Sequence, residues 1–143
     1  MQSANFSVLA CCLLAILSIP ATATGEDPGP PPPVREVRGE KFVVRYQPRV
    51  EPIPLNQPIS LRVEVLEASK ASTPAEGISV IVAGWMPEHR HGMNLRPSVT
   101  GPGPDGAWTA KGVLFHMAGR WQLFVDVIRE KHKERAVFEL ELE

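Results

Sequence analysis

From Glu40 onward, apolar side chains return at every second position, the period of a strand with one face in a core rather than that of an amphipathic helix. Ile59, Leu61, Val63 and Val65 fall on one face, with Ser60, Arg62 and Glu64 on the other. Ile78, Val80 and Val82 repeat the pattern. Trp121, Leu123, Val125 and Val127 do so against Gln122 and Asp126, and Ala136, Phe138, Leu140 and Leu142 against Val137, Glu139 and Glu141. Residues 41–46 and 107–115 read as two more strands, and 95–100 as a short one.

Turn signals separate these runs. Gly101-Pro102-Gly103-Pro104-Asp105-Gly106 is the strongest, ending in Asp-Gly. Lys131-His132-Lys133 reads as a charged reversal that makes the last two strands a hairpin, and Pro48, Pro52, Pro54 and Pro58 keep the stretch between the first strands irregular. About seven short antiparallel strands in roughly 100 residues match an immunoglobulin-like β-sandwich. The expected fold class is therefore all-β.

Composition narrows the picture further. Eleven Gly and 15 Pro in 143 residues disfavour a helical bundle, and 43% hydrophobic residues suffice for one modest core. With 15 Lys+Arg against 16 Asp+Glu, the net charge of -1 offers no basic face for a nucleic-acid partner.

The N-terminal stretch differs from the rest. Residues 1–24 carry no charged side chain, and the apolar run from Phe6 to Leu17 is interrupted only by Ser7. Pro20 ends it, and Ala21-Thr22-Ala23 supplies the small residues of a cleavage site, so residues 1–23 read as a signal peptide. The expected location is periplasmic or secreted, with no membrane span in the mature form. Cys11 and Cys12 both lie inside this segment, so the cleaved chain has no thiol for a disulfide, a metal or a nucleophile. Residues 24–39 read as a proline-rich linker, stiff in Asp27-Pro28-Gly29-Pro30-Pro31-Pro32-Pro33-Val34, and residues 40–143 as the domain.

Chemistry concentrates in two short segments. In Met86-Pro87-Glu88-His89-Arg90-His91-Gly92-Met93, an extended chain turns His89, His91 and Met93 toward one space, because residues two apart share a face. Phe115-His116-Met117-Ala118-Gly119-Arg120-Trp121 is the second segment. Imidazole suits Cu(II) and Zn(II), whereas thioether selects Cu(I); Arg90, Arg96 and Arg120 nearby disfavour a tight divalent site. The competing reading makes His89 and His91 solvated loop residues and Met117 core filling. On a regular strand only one of His116 and Met117 can face such a site, unless the chain turns there. No nucleophile elbow and no paired carboxylates occur, and the spaced glycines of Gly101–Gly106 carry prolines that remove amide donors, so the chain does not read as an enzyme.

Together, Met-Pro-x-His-x-His-Gly-Met and Gly-Val-Leu-Phe-His-Met-Ala-Gly-Arg-Trp-Gln-Leu resemble the YtkA-like family of small exported domains, related to FixH-like and CopC-like sandwiches. The resemblance spans residues 59–126. It implies an immunoglobulin-like sandwich and a role in periplasmic copper handling or oxidase-type metalloprotein assembly. Carried over, His89, His91 and Met93 match the first motif and His116 and Met117 the second, while Gly119 and Trp121 match positions of a tight turn and a core aromatic. Ala118 stands where members usually have Pro, and no membrane segment of the FixH-like kind remains once the signal is removed. The expected function is an exported copper carrier that favours Cu(I). The alternative is a metal-free module docking on a periplasmic redox partner, such as a metalloprotein or cytochrome.

Overall fold

The computed structural model describes residues 30–143; the expected signal peptide, its cleavage site, both cysteines and the start of the linker lie outside the described residues. Ten strands follow in chain order. They are β1 (Arg35–Arg38), β2 (Phe42–Pro48), β3 (Ile59–Glu67), β4 (Lys70–Pro74) and β5 (Ser79–Met86). Then come β6 (His91–Gly92), β7 (Ser98–Thr100), β8 (Trp108–Val113), β9 (Gly119–Arg129) and β10 (His132–Leu142). Every pairing is antiparallel. One sheet runs β1-β2-β3-β8-β7 with β4 added to β3, and the other runs β10-β9-β5-β6. Setting aside the short β1, β4 and β6, this is the two-sheet order of an immunoglobulin-like sandwich.

The alternating residues close the core between the sheets. Leu61, Val63 and Val65 from β3, Val80 and Val82 from β5, Leu123, Val125 and Val127 from β9, and Phe138 and Leu140 from β10 are all buried. Trp121, expected in that core, is 0% exposed. Ile78, just before β5, is half-buried at its rim.

The structure departs from the sequence reading at defined places. β1 forms within the stretch read as linker, because Arg35–Arg38 ladders onto Tyr46–Val43 although its own composition is polar. The last hairpin turns at Glu130-Lys131, one residue earlier than read; Glu130 takes φ 55°, so His132 already pairs with Arg129. Asp126, placed on the outer face by alternation, is there but only 5% exposed. Arg135 grips its carboxylate with two hydrogen bonds of 2.6 and 2.9 Å, and Lys133 lies 2.9 Å away. Arg135, then Lys133, hold this carboxyl below the usual carboxylate range against the opposing effect of burial.

The outer face of the larger sheet is a ladder of alternating charge. Glu36 meets Arg45, Arg45 meets Glu64, and Arg62 bridges Glu64 and Asp105. Tyr46, beneath this face, is buried with its hydroxyl lacking a hydrogen-bond partner, and burial pushes its pKa up to about 12.

A histidine cluster at one end of the sandwich

Strand β5 continues past its alternating valines to Met86, so the first chemical segment begins inside the sheet. Residues 87–90 then form a tight turn, closed by Arg90 N–H donating to Met86 C=O at 2.8 Å, with Arg90 at φ 56°. His91 and Gly92 return as β6, with His91 opposite Met86 and Gly92 opposite Trp85. Directly opposed residues share a face, so His91 turns inward with Met86, and Trp85 outward.

This geometry treats the three residues of the first motif differently. His91 and Met93 keep the two-residue alternation; Met93 N–H donates to Gly84 C=O at 3.3 Å, and its side chain lies over Gly84. A β-carbon on Gly84 would sit only 3.0–3.1 Å from Met93 Cγ and Sδ, so the missing side chain is what admits the thioether. His89 sits in the turn and is exposed, outside the alternation, with its ring centroid 5.8 Å from that of His91.

The second segment leaves β8 at Val113 and enters β9 at Gly119, bending at Met117 and Ala118. Two long-range bonds pin it. Asn56 N–H, from the proline-rich stretch, donates to Phe115 C=O at 2.8 Å, and the Trp121 indole N–H donates to Met117 C=O at 3.0 Å. Gly119 adopts φ +115°, where a side chain is strained, and a β-carbon there would lie 2.8 Å from the Met86 methyl. The bend releases His116 and Met117 from strict strand alternation. Met117 is half-buried against the core, and His116 lies over the sheet end.

The two segments meet there. The His91 and His116 rings lie 5.0 Å apart, tilted by 32°, and both stand edge-on to Trp121 at 5.9 and 5.4 Å. Phe115 packs against the same indole at 5.2 Å. His91 Nδ1 lies 3.1 Å from the Gly92 carbonyl, which only accepts; that bond puts the proton on Nδ1 and leaves the Nε2 lone pair free. His116 Nδ1 is buried with no hydrogen-bond partner. A buried imidazole nitrogen without a partner is the kind of group that an ion or a water satisfies.

The candidate donors are the paired imidazoles of His91 and His116, a third imidazole at the turn, Met93 over Gly84 and Met117 at the bend; such a set fits a soft ion better than a hard one. Among the described residues, no three His, Cys, Asp or Glu side chains gather closely enough to hold a metal ion by themselves. A metal site here needs thioether as well as imidazole. Arg90, Arg96 and Arg120 are exposed. Sequence reasoning missed two contributors: Met86, fully buried beneath the cluster, and Asn56, whose link to Phe115 C=O has no local signal at all.

A surface groove of about 570 Å³ lies away from this cluster between residues 74–78 and 102–106, over Trp108. It gathers no histidine or methionine, and its Asp105 is tied to Arg62. Comparison of the chain with protein-family models, with curated proteins and with solved structures found no match.

Proposed function

We propose that this chain is an exported, non-enzymatic copper carrier of the YtkA-like kind, using imidazole and thioether donors at one end of the sandwich. The observation that carries the reading is the meeting of His91 and His116, 5.0 Å apart on Trp121, with one imidazole nitrogen buried and unpartnered. His91 Nε2 and His116 are the principal donors, Met93 and Met117 the soft ones, and His89 at the exposed turn is the group that first meets an incoming ion. Copper supplies nothing to the chain but its own charge and redox couple. The residues hold it, orient it and keep it from hard competitors, since thioether discriminates against Zn(II).

The test is a competition titration of the protein with a Cu(I) chelator, repeated for His91→Ala, His116→Ala and Met117→Leu. Each histidine substitution weakens binding by about tenfold or more, and the thioether change weakens Cu(I) but spares Cu(II). A wild type that takes no copper under reducing or oxidising conditions overturns the carrier. In that case the docking-module reading replaces it. One feature favours that second reading: Trp85, Ile81 and Leu95 are 37%, 47% and 50% exposed on the outer side of the same strand and the segment after it.

A further inference from the structure

Each sheet of a sandwich has two edges, and an edge left open presents unpaired backbone groups to any passing strand. The other edges here are short pieces, apart from Ser79–Ala83 of β5, where β6 does not reach. β1 has four residues and follows a run of prolines, β7 has three, and β6 has two. The longest edge is β10, eleven residues long and without proline. Its ladder with β9 runs unbroken from His132↔Arg129 to Leu142↔Gly119, with no bulge to twist it away. β1 and the turn after it come up to the N-terminal half of β10 without forming a ladder, the Glu134 carboxylate accepting from the Lys41 and Phe42 N–H groups.

The outward side chains of this edge have an order that backbone pairing alone does not require. They read Lys133, Arg135, Val137, Glu139, Glu141: two cations, an apolar centre 37% exposed, and two anions. Laid antiparallel on a second copy with the two-fold axis at Val137, Arg135 faces Glu139 and Lys133 faces Glu141 in both directions. Opposite charges directly across antiparallel strands stabilise the pair, and like charges oppose it. The in-register parallel pairing of the two edges sets like against like, and a parallel register shifted by four residues keeps only one of the four opposite-charge pairs. Asp126 already offsets one of the two cations, whereas Glu139 is bonded only to the neutral amide of Gln122, so the two halves keep opposite signs.

We infer that β10 is the interface of a two-fold homodimer, in which two copies join edge to edge into one continuous eight-stranded sheet centred on Val137. The isologous contact is self-complementary, as a two-fold interface must be. The histidine clusters sit near the β9 start, opposite the C-terminal end of β10, so the antiparallel join sends them to opposite ends of the shared sheet. The inference does not rest on copper.

Sedimentation velocity on the full chain at about 100 µM, where a micromolar contact is saturated, gives a dimer. Val137→Lys, which sets two cations on the axis, gives a monomer, and so does Glu139→Lys with Glu141→Lys; both changes are at exposed positions, and circular dichroism checks the fold. A second measurement does not depend on charge. In a chain with Cys11→Ser and Cys12→Ser, Val137→Cys forms an intermolecular disulfide on mild oxidation, because residues facing each other across the axis lie within about 4.4–6.8 Å between α-carbons. Ile81→Cys, more exposed and on the same sheet, does not. A monomeric wild type, a dimer that survives both charge variants, or equal cross-linking at Ile81 and Val137 overturns the inference.

Discussion

Trp121 joins the core to the histidine cluster, and its removal is the most demanding test of the fold. The side chain is fully buried, stands T-shaped to Phe115, and donates its indole N–H to Met117 C=O. Trp121→Ala removes the ring and leaves a cavity that two rigid sheets cannot close, a loss of about 3–5 kcal/mol. Against a domain stability of about 5–15 kcal/mol, that is a large share. Trp121→Phe keeps an aromatic ring but leaves the Met117 carbonyl without its donor, which costs about 1–3 kcal/mol. Equilibrium urea unfolding followed by far-UV circular dichroism separates the two. With a slope of about 2 kcal/mol/M, the Ala midpoint falls by roughly 1.5–2.5 M and the Phe midpoint by roughly 0.5–1.5 M. An Ala variant within about 1 kcal/mol of wild type would refute the burial argument.

Tyr46, Asp126 and Gly84 carry further expectations. Tyr46→Phe is neutral or stabilising in urea unfolding, because it removes a buried hydroxyl that has no hydrogen-bond partner. The same group, the single tyrosine of the chain, ionises in the folded protein only near pH 12, as ultraviolet titration will read. Its raised pKa means that folding loses stability as pH rises from about 10, the unfolded value, toward 12. Asp126→Asn destabilises by about 1.5–3 kcal/mol at pH 7, toward the lower end because Arg135 and Lys133 are half exposed to solvent. Since the folded Asp126 pKa is depressed, its contribution is present above the unfolded value of about 3.9 and is lost as pH falls through the folded one. The gap between wild type and variant therefore narrows in acid, and a gap unchanged at pH 2 contradicts the ion-pair account. Gly84→Ala, finally, pushes the Met93 thioether from its place; chemical shifts of the Met93 methyl move while the Trp121 indole shift stays.

Much of this protein was legible in the order of its residues, and the reason is physical. A strand alternates its side chains with period two, so Leu61, Val63 and Val65, Leu123, Val125 and Val127, and Phe138 and Leu140 announce both the element and the face it buries. Prolines and glycines mark where the chain must leave a sheet, and together these local rules decide an all-β sandwich. The two chemical segments were visible for the same reason: residue types and spacing are local properties.

What the chain order could not decide is everything that depends on a distant partner. Arg35–Arg38 and Lys70–Pro74 are polar and become strands only because β2 and β3 offer them a ladder. His89 and His91 look equivalent along the chain, yet the turn closed by Arg90 N–H leaves His89 in solvent and sends His91 inward. His91 and His116 stand 25 positions apart in different connections, and they touch because β5 and β9 are paired and Trp121 lies beneath both. Periodicity fixes which way a side chain points from its own backbone; which side chain it then meets is set by strand register and sheet packing, and those are properties of the whole fold.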